Sequence, residues 1–215
     1  MADRKRPRRT RERILETSLD LFNRHGEPNI TTADIADEMN ISPGNLYYHF
    51  GNKEEIVAEL YAAHEARVLP LFADPRGRAI GIEDVWLWLH VLFEEIARHR
   101  FLYRDLDLIA ARDSRLGARF GKLVRQGGDT VVELCGAMVA AGTMRASARE
   151  IAALAQNILL VATYWHSFER LRRATRGKAD EPDVGRAAYQ VLTLLAPYLV
   201  GDARTLIERL GEDYL

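Results

Sequence analysis

ISPGNLYYHF, residues 41–50, carries the start signal and the apolar spacing of a very short helix. Ser42 before Pro43 predicts an N-cap followed by proline at the first helical position. Leu46 and Phe50 lie four residues apart, which places both on one inward-facing side. We therefore expect an amphipathic helix of about two turns here.

A second short helix is predicted just upstream, from Thr31 to about Met39. Thr31 with Asp34 three residues later is a variant of the capping box. Ile35 and Met39 form its inward side, and residues 40–42 are a tight turn into the next helix. Two short helices on such a turn, braced by a longer one, are what a helix-turn-helix requires.

Helical spacing continues along the chain, and alternating strand patterns of useful length are absent. A first helix carries apolar residues from Ile14 to Phe22, and a fourth is predicted from Asn52 to Val68. Further helices are expected at 83–99, 102–112, 115–141, 148–173, 183–200 and 203–210. We predict an all-α protein with a three-helix head (1–52), a connecting helix (53–70) and a larger helical bundle (71–215), since Pro and Gly interrupt the pattern between 70 and 81.

Composition excludes several classes of protein. Hydrophobic residues at 47% and charged residues at 28% are ordinary for a globular chain. Cys135 stands alone, which rules out an internal disulfide and a cysteine metal cluster. The N-terminus lacks the apolar segment of a signal peptide, and the apolar runs are too short to span a bilayer. We expect a cytoplasmic protein without a metal or other cofactor.

The formal net charge of −1 conceals a basic N-terminal arm. Between Met1 and Arg13 there are seven Lys or Arg residues and two acidic ones. Such a stretch is either a solvated tail or an arm that attracts phosphates or enters a minor groove. Both interpretations remain open at this point.

Three segments together resemble the signature of the tetracycline-repressor (TetR) family of transcriptional regulators: TTADIA (31–36), ISPGNLYYHF (41–50) and NKEE (52–55). The segment from Ile14 to Gly26 is similar to that family's first helix. The resemblance covers the first quarter to third of the chain. It implies a helix-turn-helix that binds operator DNA and a helical C-terminal domain that binds a small ligand and dimerises.

The resemblance implies contacts to the DNA backbone at four positions. Thr32 offers a hydroxyl at a helix N-terminus, and Tyr48 and His49 match an aromatic and imidazole pair of the family. Lys53 is similar to a phosphate-binding lysine. Its charge opposes the dipole at the start of the fourth helix, which argues against a purely stabilising role.

Base reading is expected from the exposed start of the second short helix, at Pro43, Gly44, Asn45 and Tyr47. Asn45 can pair with adenine in the major groove, and Tyr47 can pack on a thymine methyl or reach a phosphate. Gly44 lets the backbone approach closely but provides no side chain. DNA shape is therefore expected to contribute to specificity.

The same resemblance implies an effector pocket among the central helices, and a palindromic operator implies a two-fold homodimer. For each aromatic residue in this region, packing in the ordinary core is the alternative interpretation. The pocket candidates are Trp86, His90, Phe93, Tyr103, Cys135, Met138, Tyr164 and His166. The dimer candidates, some of which must face the monomer core instead, are Ala162, Trp165, Phe168, Glu169, Tyr189, Leu192, Thr193, Ala196 and Leu199.

The sequence contains no complete catalytic motif. The segment GARFGKL, residues 117–123, fails the spacing of a phosphate-binding loop and lacks its Ser or Thr. The six histidines form no HExxH pattern. We expect no enzyme but a regulator, by default a repressor, that a lipophilic or aromatic effector releases from its operator. A helical carrier of a lipophilic molecule that has lost DNA recognition is the alternative.

Overall fold

A computed structural model of the chain describes residues 5–73, 81–174 and 183–212. The described residues form α-helices and short 3-10 turns and contain no β-strand, as the all-α prediction expects. The eleven α-helices are α1 (Lys5–His25), α2 (Thr32–Glu38), α3 (Pro43–His49), α4 (Lys53–Val68), α5 (Ile82–Arg98), α6 (Arg100–Arg104), α7 (Leu106–Arg112), α8 (Ser114–Ala140), α9 (Ala148–Ala174), α10 (Val184–Leu195) and α11 (Asp202–Glu212).

Local hydrogen bonds set the ends of the short helices. Thr31 and Asp34 form the reciprocal capping box at the start of α2, and the Ser42 hydroxyl accepts a bond from the amide of Asn45 at the start of α3. Asn40 adopts a left-handed conformation with φ of 54°. The amide of the next residue then bonds to the carbonyl of Ala36, 3.0 Å away, which closes α2 as a Schellman motif. The predicted caps are confirmed.

Two boundaries differ from the sequence prediction. The helix expected at 102–112 is divided at Asp105 into α6 and α7. The helix expected to reach Val200 ends at Leu195 and continues as a 3-10 turn that contains Pro197, because proline lacks the amide proton that an α-helix needs. The basic stretch from Lys5 to Arg13 belongs to α1 itself.

The first compact unit comprises residues up to 66 together with 99–118. Phe22 and Phe101 pack with ring centroids 5.2 Å apart. The side-chain oxygen of Asn23 accepts a bond from the amide of Phe101, and Arg104 donates to the Asn23 carbonyl. This grouping differs from the predicted domain boundaries, because α6 and α7 pack against the end of α1.

The second compact unit comprises residues 67–98 and 119–215. Its core lies where α10 packs against α5 and α9, with Leu89, Phe93, Ile158 and Val191 buried. The indole of Trp88 donates to the carbonyl of Leu71. Across the described helices, none combines the length and apolarity needed to cross a membrane.

Candidate nucleic-acid interface and ligand cavities

Helix α3 presents one face to the core and the other to solvent. Leu46 and Phe50 are fully buried, whereas 53% of Tyr47 and 79% of Tyr48 are exposed. The first residues of α3 are also exposed, and they are Pro43, Gly44 and Asn45. Tyrosine rings stabilise a protein when they are buried, and most of them are at least partly buried. Two adjacent exposed tyrosines therefore indicate a binding surface.

Thr32 and Tyr47 lie together although they belong to different helices. The Thr32 hydroxyl is 3.0 Å from the Tyr47 hydroxyl, and Thr32 is the first residue of α2. The expected backbone pair on α3 is also together, since the rings of Tyr48 and His49 meet edge to face with centroids 5.1 Å apart. The predicted DNA-contacting residues of α2 and α3 therefore share one surface.

Lys53 requires a correction. Its ammonium donates to the carbonyls of Glu27, at 2.9 Å, and Ile30, at 2.8 Å. It also pairs with the Glu27 carboxylate, at 3.0 Å. The two carbonyls take two of the three ammonium protons, and the ion pair with Glu27 compensates the charge. The argument against a stabilising role is wrong, because the buried carboxylate offsets the unfavourable charge at the start of α4.

Glu27 is a residue whose role sequence reasoning missed. It is 1% exposed, pairs with Lys53 and Arg112, and its amide donates to Asp105. The carboxylate thus joins the segment after α1 to α4 and α7. Its partners lie 26, 78 and 85 residues along the chain, so no local pattern could have indicated them.

Part of the basic arm is used inside the protein. Arg11 pairs with Glu59, and its guanidinium lies over the ring of Phe50, 4.5 Å from the centroid. The hydrogen bond that Arg11 donates to Glu59 raises the pKa of Arg11 above its ordinary value. Arg9 and Arg13 are exposed. Arg11 is therefore neither part of a solvated tail nor free to attract phosphates. Arg9 and Arg13 are accessible to a polyanion.

A first, small cavity, with about 30 Å³ of free space, lies between α5, α9 and α10. Its walls are apolar at one end, with Phe93, Ala162 and Trp165, and charged at the other, with Glu169 and Arg173. We call it the amphiphilic cavity. It brings together two pocket candidates, Phe93 and His166, and three residues predicted for the dimer, Ala162, Trp165 and Glu169.

A second small cavity, with about 20 Å³ of free space, lies between α5, α8, α9 and α10 and has an entirely apolar lining. We call it the apolar cavity. Cys135 and Met138, both pocket candidates, line it beside Trp88. Burial raises the pKa of the Cys135 thiol to about 11, so the thiol is neutral near pH 7 and adds no charge.

Four pocket candidates lie elsewhere. Trp86 and His90 stack on each other along α5, with ring centroids 4.2 Å apart, and line neither of these two cavities. Tyr103 is buried in the first compact unit, where its hydroxyl lies 2.9 Å from His64. Tyr164 is 42% exposed. Their assignment to an effector pocket stays a prediction, because helical spacing alone does not tell which side of a helix meets a cavity.

Comparison with known proteins decides the family. A profile described as "Bacterial regulatory proteins, tetR family" matches residues 14–60, which contain α2 and α3. A second, described as "Bacterial transcriptional repressor", matches residues 63–207. The chain belongs to the TetR family. Its members are transcriptional regulators rather than enzymes, and the resemblance noted from the sequence is confirmed.

Individual TetR-family relatives agree with this assignment. A regulator from Marinobacter aquaeolei VT8 is 34% identical, with a TM-score of 0.85 over 95% of this chain and 98% of that one. The "SmeT-Triclosan complex" shares the fold at 19% identity and a TM-score of 0.58, over 90% and 93% of the two chains. The "Probable acrEF/envCD operon repressor" of Escherichia coli K12 is 38% identical over 25% of this chain, a match that spans 24% of that repressor.

The predicted dimer residues of this TetR-family chain have different surroundings. Leu192 and Leu199 are buried in the core, which corrects their assignment, and Tyr189 and Ala196 are half-buried. Thr193 and Phe168 are exposed. Three other exposed apolar residues lie on the same face of α9 as Phe168 and were not predicted for the dimer: Leu160, Tyr164 and Leu171. Together with Phe168, they follow one another at intervals of four, four and three positions. We call these four residues the α9 stripe.

Proposed function

We propose that the protein is a ligand-responsive repressor that binds a palindromic operator as a homodimer and is released by a small lipophilic or aromatic effector. The observation that carries the proposal is the outward face of α3. Leu46 and Phe50 anchor that helix in the core, while Asn45, Tyr47 and Tyr48 face solvent at its leading end. A two-turn helix anchored in this way fits the major groove.

The roles within this surface follow from chemistry. Asn45 has the donor and acceptor needed for a bidentate pair with adenine. In this proposal Thr32, Tyr48 and His49 contact phosphates, and such contacts set the register of the protein on DNA. Lys53 contributes indirectly, because it holds α4 against the segment that precedes α2.

A homodimer is supported by the α9 stripe. Four large apolar side chains on one helix face are more than a solvated monomer usually exposes in one place. A two-fold interface buries the same patch of both subunits. The half-buried Tyr189 and the exposed Thr193 on α10 are candidates for its rim. Two identical heads then match a palindromic operator.

Effector response is supported by the two cavities in the second compact unit. Their mostly apolar linings are typical of sites for lipophilic molecules, and the SmeT structure with triclosan has the same fold. Both cavities are small in this structure, so an effector enters only when the surrounding side chains move apart. An effector that favours a dimer with a different separation of its two heads weakens operator binding. Coupling is reciprocal, so operator DNA weakens effector binding by the same factor. A repressor that binds an operator on the chromosome acts in the cytoplasm.

Selection of bound duplexes from a random pool tests the operator proposal, because it yields both sequence and half-site spacing. We expect a palindrome whose half-sites lie about one helical turn apart, or a multiple of that distance. Asn45→Ala should relax preference at one base pair by about 1–3 kcal/mol. Gln156→Ala, an exposed substitution on α9, is the control. Recovery of no enriched sequence would favour the helical carrier instead.

A further inference from the structure

The two cavities of the second unit follow the same three helices. On α5, Leu89 lines the apolar cavity and Phe93 the amphiphilic one. The same one-turn step separates Ile158 from Ala162 on α9. Four residues of α-helix rise about 6 Å. The cavities are therefore successive segments of one seam between α5, α9 and α10.

The two ends of the seam differ in polarity. Its apolar end has no charged residue in its lining and holds Cys135, Met138 and Trp88. Its other end carries every charged group that lines either cavity, and these are Glu169, Arg170, Arg173 and Asp183. From Val85 to Ala97, which line the two ends on α5, the seam is about 18 Å long by helical rise.

Glu169 is not available to a cationic ligand. Its carboxylate accepts a hydrogen bond from Arg173 at 2.9 Å and lies 3.3 Å from Arg172 and 3.4 Å from Arg186. Burial alone would raise its pKa, but the hydrogen bond from Arg173 and the charges of the arginines lower it. The carboxylate is thus ionised and already compensated by its neighbours.

Arg170 differs from these arginines. It is exposed and lines the amphiphilic cavity. Among the described residues it has no ion pair. Arg173, which also lines the cavity, forms ion pairs with Glu169, at 2.9 Å, and with Asp183, at 3.7 Å. Within the described part of this lining, the charge that lacks an ion pair is therefore positive, and it belongs to Arg170.

We propose that the seam binds an elongated amphiphile whose apolar chain occupies the apolar cavity and whose carboxylate pairs with the Arg170 guanidinium. This proposal deepens the effector response and rests on it only for the consequence on DNA binding. Both cavities are too small for such a chain in this structure, so the proposal requires that the side chains between them, Leu89 and Phe93 among them, move apart when the ligand binds. Arginine suits a carboxylate because its planar fork donates two parallel hydrogen bonds.

Three ligands that share one chain length test the proposal on the full-length protein by titration calorimetry. The probes are decanoate, decan-1-ol and decyltrimethylammonium. We expect decanoate to bind most tightly. Arg170→Gln should weaken decanoate roughly tenfold, because one charge-assisted bond is lost, and should leave decan-1-ol within about twofold. Arg149→Gln, an exposed change near the other end of α9, should change neither.

The apolar end has its own test. Cys135→Met enlarges a side chain that lines the apolar cavity, so decanoate should bind several-fold more weakly while hexanoate is affected less. Thermal unfolding establishes that the variant is folded. Tryptophan emission is a second readout, since Trp88 lines the apolar cavity and Trp165 the amphiphilic one.

Three results would overturn the inference: equal decanoate affinity in the wild type and Arg170→Gln, tighter binding of the ammonium probe than of decanoate, or no binding of any probe. Because these titrations contain no DNA, such a failure with intact operator binding leaves the proposed function standing. Decanoate binding without any operator binding would instead reject the proposed function and leave the inference standing.

Discussion

The hydroxyl of Tyr47 lies 3.0 Å from the hydroxyl of Thr32, and this contact joins the start of α2 to the outward face of α3. Both groups are accessible to solvent, so the hydrogen bond contributes little to stability. Its effect is to restrict the orientation of an exposed tyrosine. A side chain already held in place loses less conformational entropy when it meets DNA.

Tyr47→Phe should therefore weaken operator binding while it leaves stability nearly unchanged. We expect a loss of less than about 1 kcal/mol in the free energy of unfolding and a several-fold rise in the operator dissociation constant, measured by fluorescence anisotropy. Tyr48→Phe is the matched control for stability, since it removes the hydroxyl of the neighbouring exposed ring. Unchanged affinity in Tyr47→Phe would argue against a role for this contact.

Lys53→Ala should destabilise the first compact unit. Removal of the ammonium leaves the buried Glu27 carboxylate with Arg112 as its remaining cation, and breaking a buried ion pair costs about 2–4 kcal/mol in such settings. Urea unfolding gives the measurement, with Lys122→Ala, an exposed lysine, as control. A stable Lys53→Ala protein with weak DNA binding would instead restore the phosphate-contact role.

Acid should destabilise the protein through His64. Burial, with a smaller contribution from the charge of His99, lowers the pKa of His64 from 6.5 to about 3. The neutral ring is favoured in the folded state, so this contribution to stability is present above pH 6.5 and is lost as the pH falls toward 3. Within that window the slope is about 1.4 kcal/mol per pH unit.

Urea unfolding between pH 7.5 and pH 4.5 measures that slope. His64→Phe should have a shallower dependence on pH than the wild type, whatever its absolute stability after loss of the bond to Tyr103. His25→Gln, which changes an exposed histidine, should keep the wild-type slope. Parallel curves for all three proteins would contradict the assignment to His64.

Phe168→Arg should weaken the homodimer at least about tenfold, because aromatic anchors carry much of the binding energy of an interface. Sedimentation equilibrium at micromolar concentration measures the change. Leu108→Arg is a matched control, since Leu108 is 57% exposed on α7 and Phe168 is 53% exposed on α9. A dimer of undiminished strength in Phe168→Arg would show that the α9 stripe is not the interface.

The local architecture of the head could be predicted because its determinants lie within three or four residues of each other. Thr31 with Asp34 and Ser42 with Asn45 are bonds between near neighbours, so the letters of the sequence suffice to place the helix ends. The outward face of α3 follows from the same spacing. Family membership was visible in those segments for the same reason.

The function of single helix faces in the second unit could not be predicted in the same way. Residues of α9 at 162, 165 and 169 line a cavity, while residues at 160, 164 and 168 face solvent. Both sets are apolar or mixed, and both have helical spacing. The rotation of α9 about its own axis decides between them, and that rotation depends on how α5 and α10 pack against it.

The helical class, the limits of the short helices and the residues displayed on α3 can be deduced from local sequence, since each depends on bonds and periodicity within one element. The ion pair of Lys53 with Glu27, the contact of Tyr47 with Thr32 and the position of Glu169 beside a cavity emerge only in the folded chain. These pairings join residues distant along the chain, and distance in space arises from packing, which no short window of residues encodes.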